Sequence, residues 1–209
     1  MTTFYYKCAL IVVTLTIAGV VSGQAPKYNY AAQKALIPSE LGQVYLGMPA
    51  SAFAASIDIK NATADSKFAW VEGKLPFPKG NIETVDFKFG GFSEDEKPTF
   101  IKKQITTKTG DFGSYDEETQ RFDVPKIPKK AILYELDIVF KNGFDLKAYS
   151  LKRFGPTKDI YQKGDQNHFF DLQWTKKTMD GLGWLIRYHE ETRTLQLAGI
   201  IKGTEWSND

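Results

Sequence analysis

Two histidines are the side chains with the widest chemical range in this chain of 209 residues. His168 lies in a polar turn before an aromatic segment, and His189 closely follows Arg187 in an alternating segment. An imidazole acts in hydrolysis only beside an orienting group, and Asp171 is one carboxylate close to His168. We predict that the ligand-binding residues are Arg187, His189, His168 and Asp171, and we assign no catalytic residue.

The sequence lacks the motifs that indicate catalysis or cofactor binding. Ser114 follows Gly113 without the second glycine of a G-x-S-x-G nucleophile turn. Gly90-Gly91 precedes acidic residues and lacks the spacing of a phosphate-binding loop, so it is expected to form a turn or bulge. Two scattered histidines do not make a metal site by themselves. We therefore predict no cofactor and no metal.

Charge and composition narrow the classes of partner. The chain has 27 basic and 25 acidic residues, a formal net charge of +2. Nucleic-acid-binding proteins concentrate basic residues on one face, whereas the lysines here are interleaved with acids, as in residues 93–97. This pattern predicts no nucleic-acid partner. The hydrophobic fraction of 42% and charged fraction of 25% are typical of a folded globular domain.

The N-terminus has the organisation of a secretory signal peptide. Lys7 supplies the positive charge, an apolar run extends from Cys8 to Val21, and small residues precede Gln24. The run is shorter than the roughly 20 apolar residues that a spanning helix needs. We predict that residues 1–23 are a signal peptide, that the protein is periplasmic or secreted, and that no integral anchor remains. Because Cys8 is the only cysteine, the processed chain would have no disulfide.

The remaining sequence predicts one domain after a short polar segment. Residues 24–40 contain two prolines and are predicted to be a linker or an N-terminal arm, and residues 41–209 a single domain. Helices are predicted over 50–57 and 144–154, the second ending at Gly155-Pro156. Period-two alternation predicts strands over 67–75, 83–89, 99–107, 131–140, 169–175, 183–190 and 194–201, with a polar loop over 108–120.

These elements predict an α+β fold. A mainly antiparallel sheet, or two sheets, would carry about two helices on one face. Each helix precedes several strands, which raises the hypothesis of an α-then-sheet duplication.

The C-terminal strands predict one polar and one apolar face. Arg187 and His189 would share a face with Gln196 across the turn, and this face is either solvated or ligand-binding. Phe170 is predicted on the opposite, apolar face with Trp174.

A resemblance rests on residues 41–49, LGQVYLGMP, which precede a short helix rich in Ala and Phe. Together with the helix stop RFGP at 153–156 and the following Trp174, they resemble small bacterial envelope α+β domains. The families are the outer-membrane assembly lipoprotein BamE and the β-lactamase-inhibitor-protein fold. The resemblance implies helices packed on an antiparallel sheet and binding to other proteins. The lipid-modified cysteine of the lipoprotein family is absent, and no functional residue is carried over.

These observations lead to three functional hypotheses. The first is an exported, non-enzymatic binding or interaction domain whose partner is another envelope or secreted protein, or a small ligand. The second is a carrier that encloses a small apolar ligand between sheet and aromatic side chains. The third is a hydrolase that uses His168 or His189 with nearby carboxylates.

Processing of the N-terminus provides a first test. We expect intact-mass spectrometry of exported protein to show a chain that begins at about Gln24. Recovery of the protein in the membrane fraction with Met1 retained would instead identify residues 1–23 as an anchor.

Overall fold

A computed structural model describes residues 27–66, 70–96, 103–110, 113–160 and 170–207. The predicted signal peptide and His168 lie outside these residues. Within them, no helix is both long enough and apolar enough to cross a membrane.

Three helices and ten strands lie within the described ranges. The helices are α1 (Tyr30–Gln33), α2 (Ala50–Ser56) and α3 (Leu146–Phe154). The strands are β1 (Thr63–Ser66), β2 (Val71–Pro76), β3 (Ile82–Gly90), β4 (Lys103–Gly110), β5 (Gly113–Arg121), β6 (Ile132–Phe140), β7 (Asp159–Ile160), β8 (Leu172–Lys177), β9 (Gly183–His189) and β10 (Thr194–Ile200).

The strands form one antiparallel sheet in the order β4-β5-β1-β2-β3-β6-β10-β9-β8-β7. The predicted α+β fold is therefore confirmed. The order of a helix followed by antiparallel strands occurs twice, as α2 before β1–β3 and α3 before β8–β10. A duplication at the level of residues stays a prediction.

The register aligns side chains into rows that cross six strands. The apolar row consists of Leu75, Val85, Ile138, Leu195, Tyr188 and Leu172. One residue along each strand, the polar row consists of Lys74, Asp86, Asp137, Gln196, Arg187 and Gln173. Because successive side chains point to opposite sides, the two rows define an apolar face and a polar face.

Both longer helices pack on the apolar face. The Phe53 ring of α2 lies 4.8 Å from the Phe87 ring, and Phe122 contacts the same ring at 4.9 Å between centroids. On α3, the Phe154 ring lies 5.4 Å from that of Trp174. The prediction of two helices on one face is confirmed.

Local signals set the ends of α3. The Asp145 carboxylate accepts a hydrogen bond from the Ala148 backbone N–H at 2.9 Å, which caps the first turn. Gly155 ends the helix with φ of +82°, a conformation that costs glycine little. The helix therefore begins just after the start predicted at residue 144, because Asp145 is its cap.

Residues 27–40, the described part of the predicted linker or arm (24–40), include α1 and attach to the body of the domain. The buried Gln33 amide donates to the Leu46 carbonyl at 3.1 Å and to Asp180 Oδ2 at 3.0 Å. Burial acts to raise the pKa of Asp180, but hydrogen bonds from Thr178, Gln33, Asn29 and Leu182 outweigh burial and lower it. The buried, hydrogen-bonded side-chain amide of Gln33 thus anchors the arm.

The prediction of a polar loop over 108–120 is wrong. Residues 113–121 form β5, which pairs along its length with β4 in a hairpin. The sequence of β5 is polar without a period-two pattern, so it offers no hydrophobic signal for a strand. Its backbone pairing with β4, and with β1 at Thr63 and Ala64, defines the strand instead.

Close packing over Gly73 provides a test of the apolar face. A Cβ atom at Gly73 would lie 2.2 Å from Phe87 ring atoms, so we expect Gly73→Ala to lower the free energy of unfolding by about 2 kcal/mol. Gly183→Ala is the matched control, because its Cβ would meet only the half-exposed Ile200 side chain at 3.3 Å. Urea denaturation measures both, and equal losses would contradict the packing over Gly73.

Candidate functional site

Arg187 lies on the polar face, where its guanidinium is held by four side chains. The Cζ atom lies 4.6 Å from the centre of the Phe170 ring and 4.9 Å from that of Trp206. Nε donates to Gln173 at 3.0 Å, and a terminal N–H donates to Gln196 at 3.5 Å. These contacts hold the planar cation against two aromatic rings and restrict its orientation.

The remaining predicted site residues cluster only in part. His189 pairs with Thr194 in the register and lies 6.5 Å from the Phe170 ring in edge-on geometry. The Asp171 carboxylate accepts the Glu190 backbone N–H at 2.6 Å, so it caps the turn between β9 and β10. His168 lies outside the described residues. The structure thus groups Arg187 and His189 around Phe170, and their ligand-binding role stays a prediction.

The prediction that Phe170 shares the apolar face with Trp174 is wrong. Strand β8 begins at Leu172, after Phe170, so strand alternation does not extend back to this ring. The ring lies instead against Arg187 and His189 on the polar side. The sequence pattern misled because an aromatic residue fits the period-two spacing whether or not the strand reaches it.

A buried carboxylate, missed by the sequence analysis, lies beside this cluster. The Glu135 side chain is 1% exposed, and its Oε1 atom lies 2.7 Å from Lys88 Nζ and 3.2 Å from Gln196 Nε2. Its Oε2 atom accepts the indole N–H of Trp206. A buried charge is tolerated only when paired and hydrogen-bonded, and Glu135 meets both conditions.

Residues 201–207, called here the C-terminal turn, cover this part of the polar face. Trp206 contacts both Glu135 and Arg187, which joins the two charged groups. Glu205 Oε2 accepts the Tyr134 hydroxyl at 3.3 Å and lies 3.6 Å from Lys88 Nζ. Residues 201–207 therefore contribute side chains to the polar site.

Competing effects act on the proton affinity of Lys88. Burial acts to lower the pKa of the ammonium, but the charge and hydrogen bond of Glu135 outweigh burial, so the pKa of Lys88 is raised. Lys88 therefore stays protonated at neutral pH.

Two further acids occupy the centre of the polar row. Asp86 and Asp137 are direct cross-strand neighbours. Burial, and then the Glu135 and Asp86 carboxylates, raise the pKa of Asp137 to about 8, while Lys88 and Gln196 act in the opposite direction. Burial also raises the pKa of Asp86, against the opposing charge of Lys74.

The sequence indicated the face on which these acids lie but not which of them become neighbours. Asp86 and Lys88 alternate with apolar residues on one strand, as do Glu135 and Asp137 on another. That pattern assigns them to a polar face, but only the pairing of β3 with β6 brings the four side chains together. Across the described part of the chain, no group of three or more His, Cys, Asp or Glu side chains is arranged to hold a metal ion.

Comparisons with protein-family models, with curated proteins and with solved structures find no match. The resemblance to small bacterial envelope domains therefore stays a prediction from the sequence.

The Lys88–Glu135 pair gives a testable energetic contrast. Lys88→Met would leave the buried Glu135 carboxylate without its counter-charge, and we expect a loss of about 3 kcal/mol in the free energy of unfolding. Lys74→Met is the matched control, because Lys74 is 61% exposed and lies 4.0 Å from Asp86, so its loss should stay below about 1 kcal/mol. If urea denaturation shows similar losses in the free energy of unfolding for both variants, the buried Lys88–Glu135 pair stabilises the fold no more than the exposed Lys74–Asp86 pair does.

Proposed function

We propose that this chain is an exported, non-enzymatic domain that binds another protein through the polar face of its sheet, around Arg187. The observation that supports the proposal is the Arg187 guanidinium, which contacts the Phe170 and Trp206 rings and donates hydrogen bonds to the side-chain amides of Gln173 and Gln196. An arginine fixed in this way loses little side-chain entropy when a partner binds.

The chemistry of the cluster suits a protein partner. Arginine and tryptophan are over-represented among the residues that contribute most to binding at protein interfaces. The planar guanidinium matches the geometry of a carboxylate, so a partner with an acidic side chain opposite Arg187 fits the charge of the cluster. His189 lies against the same Phe170 ring and extends the surface.

Export is the part of the proposal that rests on sequence. The apolar run from Cys8 to Val21, preceded by Lys7 and followed by small residues, supports it. The likeness of residues 41–49 to small envelope domains that bind other proteins points the same way.

The carrier hypothesis has weaker support. Aromatic rings, including Phe53, Phe87 and Phe122, fill the space between α2 and the sheet. A cavity of about 280 Å³ beside Phe122 opens to solvent and is bordered by the charged side chains Lys60, Arg121 and Asp123. A charged border of this kind does not suit a wholly apolar ligand.

The hydrolase hypothesis has no specific observation in its favour among the described residues. His189 contacts an aromatic ring, and Asp171 is engaged with the Glu190 backbone. Hydrolysis by His168 or His189 with nearby carboxylates remains the third hypothesis, and His168 lies outside the described residues.

The test compares two arginines on the same sheet. Full-length protein with and without Arg187→Gln is used to capture partners from the native compartment, and the amount of each captured protein is measured by quantitative mass spectrometry. We expect the amount of a specific partner captured by Arg187→Gln to be lower by at least about tenfold. Arg121→Gln is the matched control and should retain the partner fully, because Arg121 is exposed and lies on β5, near the opposite edge of the sheet.

Titration calorimetry with the recovered partner then measures the affinity of each variant. If every partner bound by the unchanged protein is retained equally by Arg187→Gln, the polar face is not the binding surface.

A further inference from the structure

Two carboxyl groups meet at the centre of the polar row without enough hydrogen-bond donors. Asp86 and Asp137 pair directly between β3 and β6, in a stretch of regular register. Cross-strand neighbours on one face have their Cβ atoms about 5 Å apart, so the two carboxyl groups are within reach of each other. The Oδ1 atom of each is shielded from solvent and has no hydrogen-bond partner in the part of the chain that the structure describes.

The surrounding groups do not supply the missing donors. Lys74 Nζ lies 4.0 Å from Oδ2 of Asp86, and Lys88 Nζ is committed to Glu135 at 2.7 Å. The Gln196 side chain hydrogen-bonds to Asp137 and donates to Glu135. The charged and titratable groups that face the two acids are Glu72 and Lys74 from β2, Lys88 from β3, Glu135 from β6, Arg187 from β9 and Glu205 from the C-terminal turn.

Two ionised carboxylates in this position would repel each other and leave both Oδ1 atoms buried as unpaired acceptors. A single proton removes both costs, because one protonated carboxyl donates to the other and one negative charge disappears. We propose that Asp86 and Asp137 share one proton as a carboxyl–carboxylate pair, and that this proton sets the charge of the polar face.

The direction of the proton affinities agrees with this arrangement. Burial raises the pKa of both acids, and the Asp86 carboxylate is among the groups that raise the pKa of Asp137, to about 8. As the pH rises through that value, the polar row that contains Arg187 gains one negative charge. The pair therefore gives the face a charge that depends on pH.

The sign of the effect on stability follows from linkage. A carboxyl group whose pKa is raised on folding binds its proton more tightly in the folded chain than in the unfolded chain. The stabilisation is complete below the unfolded pKa of about 4 and is lost as the pH rises towards about 8. Across that window the unfolded state holds fewer protons, so stability falls with rising pH.

Carbon-13 NMR titration of the aspartate carboxyl groups in the full chain tests the shared proton directly. In the unchanged protein we expect one of the two carboxyl groups to titrate at least about two units above the ordinary aspartate pKa. Asp86→Asn should bring the pKa of Asp137 down by at least about one unit, because the amide supplies a donor and removes a charge. Asp95→Asn, on an exposed turn, should leave both values unchanged.

Two results of the titration would overturn the proposal. One is that both carboxyl groups of the unchanged protein titrate below about pH 5. The other is that Asp86→Asn leaves the pKa of Asp137 fully raised, which would attribute the effect to burial alone.

Urea unfolding provides an independent measurement. Between pH 5 and pH 8 the unfolding equilibrium constant of the unchanged protein should rise at least about tenfold more than that of Asp137→Asn, since one unit of pKa corresponds to a tenfold change. Asp95→Asn should follow the unchanged protein. An identical pH dependence in Asp137→Asn and the unchanged protein would refute the shared proton.

Discussion

The register of β3, β6 and β10 is the constraint on which the rest of the structure depends. These central strands align Val85, Ile138 and Leu195 on one face of the sheet. The same pairing aligns Asp86, Asp137 and Gln196 on the other. Because side chains alternate along a strand, a slip of one residue would move acids into the aromatic core and apolar side chains onto the polar face. Burial of the apolar row therefore holds the polar row in place as well.

The polar face is held by charge compensation rather than by exposure to water. Glu135 is almost fully buried, yet Lys88, Gln196 and Trp206 satisfy both of its oxygens. Trp206 belongs to the C-terminal turn, which shields the Lys88–Glu135 pair from solvent. The Trp206 ring also contacts Arg187. Buried charges of this kind require every partner to be in position, which makes the arrangement of this face specific.

The proposed binding residue Arg187 and the proposed proton site lie in the same polar row of the sheet. Arg187 is a fixed cation in this row, Asp86 and Asp137 form its acidic centre, and Gln196 lies between Arg187 and Asp137 in the register. A proton shared by Asp86 and Asp137 limits the negative charge near Arg187. Loss of this proton would make the electrostatic potential around Arg187 more negative and so less favourable to an acidic partner. The proposed binding surface and the proposed proton site are thus neighbours, although each is tested separately.

The fold class, the two longer helices and most of the strands could be predicted from the sequence, because hydrophobic periodicity and end signals such as Asp145 and Gly155 are local. It also placed Arg187 and His189 on one face. It could not find β5, whose polar residues carry no periodic signal, or the strand start that puts Phe170 on the polar side. The sequence could not show which acids become neighbours, because the pairing of Asp86 with Asp137 depends on strand register between residues distant in sequence.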